Sequence, residues 1–169
     1  MADLGQPDSS CAGKKGQKVG KNPTDRGKMG TKRHIIVDKA GIPLAVVISG
    51  ANDHDITVHD EAWGSLVVAR PKGKEVQQHA CEDKAYDSDK KRLWLKRRGY
   101  VVHIPRKGLD TELRPEDKRY PARRWVVERT GSWHNRFRRL KIRYELKPEN
   151  FLGFVEFANA IICFRSCHA

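Results

Sequence analysis

Two runs of β-branched residues, placed a few positions apart, constrain this chain most. His34-Ile35-Ile36-Val37 and Leu44-Ala45-Val46-Val47-Ile48 flank Asp38-Lys39-Ala40-Gly41, which is turn chemistry. Together they read as an antiparallel hairpin. After the loop Gly50 to Asp55, Asp55 is placed as an N-cap and Thr57-Val58-His59-Asp60 has capping-box spacing. A helix is expected there, ending before Pro71-Lys72-Gly73. Gln78-His79-Ala80-Cys81 reads as a short strand that ends at Glu82-Asp83. Ser88 or Asp87 caps a helix from Asp89 to Arg98, Gly99 stops it, and Tyr100 to Ile104 is a strand ended by Pro105.

Residues 106–120 read as a charged loop. A long helix is expected from about Ala122 to Tyr144, with Val126, Trp133, Phe137 and Leu140 as its apolar stripe. Pro148 opens a last helix to Arg165 that is apolar nearly all round and so is expected to be buried. A hairpin followed by alternating helices and strands argues for an α/β fold, a mixed sheet flanked by helices. Residues 1–30 carry glycine or proline every few positions and read as a basic, Gly-rich, irregular arm ahead of a domain at 31–169.

Charge narrows the function. The 169 residues carry a formal net charge of +13, with basic clusters at 14–33, 90–98, 106–124 and 136–143. Such a surface calls for a polyanionic partner, nucleic acid before membrane. The chain has no run of about 18 apolar residues to span a bilayer. Met1 to Gly16 has no apolar signal core, and the four cysteines show no paired metal or disulfide spacing. A cytoplasmic protein with reduced thiols is the expectation.

Two acids stand out. Asp83 sits just past a strand end, where functional groups gather in open α/β sheets, though it also reads as a solvated turn residue. Glu128 lies one helical turn after Arg124, and by itself that spacing reads better as an ordinary ion pair than as a catalytic acid. His54, Asp55, His59 and Asp60 form a cluster that helix capping by Asp55 explains more cheaply than metal binding. Cys163 and Cys167, one turn apart on an apolar helix, read as core packing.

Three blocks carry a resemblance. The first runs from Asn22-Pro23-Thr24-Asp25-Arg26-Gly27-Lys28 through Arg33-His34 to Asp38 and the Gly50-Ala51-Asn52-Asp53-His54-Asp55 loop. The second is Asp83-Lys84-Ala85-Tyr86-Asp87. The third is Arg124-Trp125-Val126-Val127-Glu128-Arg129-Thr130 with Trp133-His134-Asn135-Arg136-Phe137-Arg138-Arg139-Leu140. In this order they resemble the DDE transposases of bacterial insertion sequences, in the insertion-sequence-five group, across nearly everything from Lys21 to Arg165.

The resemblance implies a ribonuclease-H-like fold and Mg²⁺-dependent DNA strand cleavage and transfer, with Mn²⁺ as a substitute and two ions per site. It implies Asp83 as the second catalytic and metal-binding acid and Glu128 as the third. Asp8 is the nearest match to the first. Met1 to Pro7 is poor in apolar residues, so the first strand is expected to be incomplete and the chain a weak enzyme by itself. Lys28, Lys32, Arg33, Arg124, Arg136, Arg138 and Arg139 are the candidates to hold DNA. Where other branches place a Tyr before the Arg and a base after the Glu, this chain has Pro121 and Asn135. Partners are then the element ends and target DNA, with a homodimer as the assembly, in the nucleoid-bearing cytoplasm. No amino-terminal end-recognition domain is visible. The rival reading is a catalytically inactive DNA-binding remnant of a truncated or frameshifted element.

Overall fold

A computed structural model of the chain describes residues 2–5, 8–11, 16–23, 25–69, 76–106 and 124–168, with 2–5, 8–11 and 124 described as backbone. Its strands are β1 (Ala2–Gly5), β2 (Asp8–Cys11), β3 (Gly20–Lys21), β4 (Met29–Val37), β5 (Pro43–Gly50), β6 (Gln78–Glu82), β7 (Tyr100–His103) and β8 (Ile142–Arg143). Its helices are α1 (His59–Gly64), α2 (Asp89–Arg97), α3 (Arg124–Asn135), α4 (Arg138–Lys141) and α5 (Pro148–Cys167). Short 3-10 turns precede α1 and follow β6.

The expected hairpin is present and longer than its apolar runs. β4 and β5 pair antiparallel from Thr31↔Gly50 to Val37↔Pro43. The turn is held by Asp38, whose Oδ1 accepts from the backbone N–H of Ala40 and Ile42, both at 2.8 Å. Gly41 completes it at φ +80°, a conformation that glycine adopts without a Cβ clash.

β4 is buried on both faces, which explains why it reads as a continuous apolar run rather than an alternating one. Ile36 joins Val47, Trp63, Tyr86 and Leu95 in one core under α1 and α2. Ile35 and Val37 join Val126, Leu140, Phe151 and Val155 in a second core under α3 and α5. The result is a mixed sheet with helices on both faces, as the alternation of elements implied.

The amino-terminal segment differs from the irregular arm expected of it. β1 lies between β4 and β6, antiparallel to the first and parallel to the second. β2 pairs with β4 farther along, as Asp8↔Lys32 and Ser10↔Gly30. β1 pairs as Asp3↔Val37 and Gly5↔Ile35. Each pair of numbers has the same sum, so β1 and β2 follow β4 in one unbroken register. Backbone pairing on two sides offsets the weak apolar content that suggested an incomplete first strand. On its other edge this line meets β6 as far as Leu4↔Glu82 and β8 from Ser10↔Ile142. Among the described residues, these two pairings leave a split in the sheet.

The expected long helix is also interrupted. α3 ends at Asn135, and Phe137 takes an extended conformation (φ −85°, ψ 108°) before α4. The turn lets β8 return to β2, and Arg143 locks it there. That buried guanidinium donates to Thr31 Oγ1 (2.7 Å) and to the carbonyls of Gln17, Lys18, Glu145 and Leu146. All five of its N–H groups are engaged. The expected helix start at Ala122, the 107–120 part of the charged loop and the stop at Pro71 lie outside the described residues.

α5 was expected to be covered all round, but only Pro148, Phe151, Val155, Ala158 and Ile162 are buried. Phe154, Phe157 and Phe164 are exposed. We therefore expect Phe151→Ala to destabilise the fold by about 3–5 kcal/mol in denaturant titration. Phe157→Ala, 66% exposed, should stay within roughly 0.5 kcal/mol of the parent. Equal losses would show that the outer face of α5 is covered in solution.

Candidate active site

Asp83 follows the last residue of β6 and takes the N-cap position of the 3-10 turn Lys84–Tyr86. Continuing the β1–β6 register by one residue from Leu4↔Glu82 sets Asp83 beside Gly5, at the split in the sheet. Asp8 stands farther along the same central line, at the start of β2 and opposite Lys32. α3, which carries Glu128, packs against β1 and β4. Asp8 thus stands on one central line and Asp83 at the end of its neighbour, while Glu128 is on the exposed side of the helix that packs on that line. The side chains of Asp8 and Arg124 lie outside the described residues. Among the described residues, no group of three His, Cys, Asp or Glu converges as a metal cluster.

The turn that carries Asp83 is anchored at its far end. Tyr86 is buried, its N–H donates to the Asp83 carbonyl (2.9 Å), and its hydroxyl lies 3.4 Å from His34 Nδ1. His34 Nε2 is 2.8 Å from Ser49 Oγ, which itself donates to the Gly50 carbonyl. As a neutral imidazole, His34 donates from one ring nitrogen and accepts at the other, which joins Ser49 to Tyr86. Burial pushes the His34 pKa down to about 4, with Asp55 opposing and Lys32 assisting. One residue on from Tyr86, Arg92 bridges Asp87 Oδ1 (2.7 Å) and the Ile104 carbonyl (2.6 Å), which ties the turn to the end of β7.

Glu82, next to Asp83, is buried on the α1 side, and sequence reasoning missed it. Its Oε1 accepts from Trp63 Nε1 at 2.6 Å. His59 Nε2 lies 3.0 Å from the same oxygen, an ion-pair distance rather than an aligned hydrogen bond. His59 Nδ1 contacts Asp60, and Lys91 reaches Asp60 at 2.8 Å. Burial raises the Asp60 pKa, but hydrogen bonds from Lys91 and His59 outweigh it and hold the carboxyl below its ordinary value. A charged residue closing an apolar strand was the available signal for Glu82. Asp55, expected as a cap, instead binds Lys32 Nζ at 2.9 Å, and the N-cap position falls to His54.

On α3 the buried side is Val126, Val127, Thr130 and His134, while Trp133 and Phe137 of the expected stripe are half-buried. Thr130 Oγ1 donates to the Gly41 carbonyl, docking the helix on the hairpin turn. His134 Nε2 contacts Asn159 Oδ1 at 2.6 Å. Burial, then the charge of Arg33, holds the His134 pKa down at about 4. Glu128 is on the exposed side of the helix.

The basic candidates divide by burial. Arg33, expected to touch DNA, is fully buried and donates to Asn135 Oδ1 at 3.1 Å. Lys32 is largely covered and paired with Asp55, and Lys28 is exposed beside Asp25. Arg136, Arg138 and Arg139 are exposed, the last paired with Glu145 at 3.0 Å. No helix among the described residues is long and apolar enough to cross a membrane.

Comparison with known proteins bears on this geometry. Residues 5–155 match the family model described as the transposase DDE domain. The chain is also 35% identical over 156 residues to a Burkholderia cepacia protein named "Putative transposase for insertion sequence element IS402". That alignment covers 88% of this chain and 70% of the relative.

The two buried histidines generate a pH dependence. Both have folded pKa values lowered from 6.5 to about 4, so between these values the unfolded chain binds protons that the native chain does not. Stability therefore falls as pH drops through this window. At about pH 5 each histidine should cost about 2 kcal/mol relative to neutral pH. Melting curves of the parent and of His134→Gln check this. The variant should lose part of the acid sensitivity, and an unchanged slope would count against a neutral buried His134.

Proposed function

The chain belongs to the transposase DDE-domain family, and from that premise we propose that Asp8, Asp83 and Glu128 together hold the divalent metal ions for its chemistry. The family fixes the reaction class as DNA strand cleavage and transfer in transposition, and DDE domains use divalent metals. The finer reading is a ribonuclease-H-like domain that takes two Mg²⁺ ions, with Mn²⁺ as a substitute. The strand order β7-β6-β1-β4-β5 supports it. The observation that carries the site assignment is the split beside β1, with Asp83 at its edge and Asp8 on the strand that borders it.

The donor set fits the metal. All three residues offer hard carboxylate oxygens, which Mg²⁺ and Mn²⁺ prefer, and no thiol or imidazole belongs to the set. When bound, two such ions supply activation of the attacking oxygen and stabilisation of the leaving oxygen, in line across phosphorus. The chain's own residues do the rest. The buried Tyr86–His34–Ser49 chain and the Arg92 clamp hold the Asp83 turn against the pull of charged ligands. α3 presents Glu128 from a helix fixed to the hairpin by Thr130. Arg136 and Arg138 hold the phosphate backbone without reading bases. The DNA is that of the element ends and then the target, and a homodimer would bring two ends together. Such a protein works on the chromosome in the cytoplasm.

Nicking of supercoiled plasmid by the purified chain tests this reading. We expect Mg²⁺-dependent nicking that falls by about 10²–10³-fold in Asp8→Asn, Asp83→Asn and Glu128→Gln, the range for losing one group that stabilises developing charge. Salt-sensitive DNA binding without nicking would favour a catalytically inactive remnant. DNA affinity indifferent to salt would remove the phosphate-binding role as well.

A further inference from the structure

The hairpin that joins β3 to β4 ends in a turn that the rest of the chain does not use. Asn22 N–H donates to the Lys28 carbonyl (2.8 Å) and Lys28 N–H to the Asp25 carbonyl (3.0 Å), which closes the turn on Arg26 and Gly27. Both central residues are left-handed, Arg26 at φ +52° and Gly27 at φ +71°. That is the type I′ pattern, which favours Asn-Gly or Asp-Gly because a larger L side chain at the first central position is strained. Gly27 suits its place and Arg26 does not. A strained residue kept at an exposed tip points to a use for its side chain.

The surroundings of Arg26 limit that use. Arg26, Gly27 and Lys28 are exposed, and a Cβ at Gly27 would meet nothing. Asp25 is taken by Lys28 at 3.2 Å, and among the described residues Arg26 has no hydrogen-bond or ion-pair partner. The root of the hairpin is rigid by contrast. Arg143 donates to the Gln17 and Lys18 carbonyls ahead of β3 and to Thr31 Oγ1 on β4, and Thr31 Oγ1 donates to the Lys18 carbonyl (2.8 Å). A guanidinium meant only for phosphates needs no such mounting, because backbone charge is met by mobile lysines and arginines on any basic surface. A fixed planar fork suits a partner of fixed geometry. Two strands about 4.8 Å apart make a ribbon that fits the major groove of B-DNA, about 12 Å wide, and the commonest specific contact there is a bidentate arginine on guanine O6 and N7.

We propose that the turn at 22–28 enters the major groove of duplex DNA and that Arg26 reads a guanine there, which gives this chain a sequence preference of its own. This rests on the DNA reading given above and adds a base-reading site to it. Lys28 lies four residues past Lys32, the partner of Asp8, about 13 Å along an extended chain. With Asp8 at the metal site, the guanine is about four or more base-pair steps from the phosphate being cut, at about 3.4 Å per step.

The test selects binding sites for the full chain from a pool of duplexes with a randomised central segment, with chelator present so that no strand is cut. Affinity is then measured for the selected duplex and for the same duplex with its preferred guanine replaced. The parent should enrich a guanine at a fixed position and lose about 5- to 150-fold in affinity when it is replaced, the range for one bidentate contact. Arg26→Lys keeps the charge but not the fork, so it should bind the two duplexes nearly alike. Arg26→Asn suits the turn better and should melt no lower than the parent, yet it should lose the preference too. That pairing keeps a folding defect out of the result. Uniform weakening on both duplexes with the preference intact would make Arg26 a phosphate contact and overturn base reading. Duplex binding without any preferred guanine, or a preference that survives both variants, also overturns it and leaves the DNA reading standing. Failure to bind any duplex of the pool overturns the DNA reading and the inference together.

Discussion

β4 pairs on one edge with β5 and β3 and on the other with β1 and β2, so four strands take their register from it. A one-residue slip of β4 would exchange Ile36 with Ile35 and Val37 between the two cores. Because each face is filled by a different set of helices, that slip is costly, and the register is firmly set. The metal-site proposal depends on this constraint. The weak amino-terminal segment is aligned by β4 rather than by its own side chains, and its alignment fixes where Asp8 stands relative to the end of β6. Thr130 docks α3 on the hairpin turn at Gly41, where a Cβ would meet Arg129 and Thr130 within 3.0–3.1 Å.

The excess positive charge serves two purposes that composition cannot separate. Arg33 and Arg143 are buried, and both tie segments far apart in sequence, Arg33 to Asn135 and Arg143 to Thr31 and the 17–18 backbone. Guanidinium suits this role because its planar fork satisfies several carbonyls at once. Arg136 and Arg138 stay in solvent, where a phosphate can reach them. Asn135 accepts a hydrogen bond from Arg33, which joins the end of α3 to β4.

Elements whose signals are local were legible in the sequence. The β4–β5 hairpin announced itself through Asp38 and Gly41, β6 through its end at Glu82, α2 through Ser88 and Gly99, and α5 through Pro148. Elements that depend on distant partners were not. β1 and β2 exist through the ladder to β4, which no residue within Met1 to Pro7 encodes. The break at Phe137 depends on β8 reaching β2. The outer phenylalanines of α5 looked like core because hydropathy does not say which face is covered. Of the proposed acids, the strand-end position singled out Asp83, while Glu128 entered through the family motif, its spacing to Arg124 reading by itself as an ion pair. Glu82 and His34 were not, because Trp63, Ser49 and Tyr86, which satisfy them, lie 15 to 52 residues away.

In the proposed site, three acids from a central strand, a neighbouring strand end and a packed helix meet around the metal ions. Iron-directed backbone cleavage tests this most directly. Fe²⁺ takes the oxygen ligands that Mg²⁺ takes, and with ascorbate and peroxide it cuts the chain next to its own position. The expected result is cleavage at the segments around Asp8, Asp83 and Glu128 together, suppressed at all three by excess Mg²⁺. Cleavage at one segment alone, or at sites indifferent to Mg²⁺, would contradict a shared site.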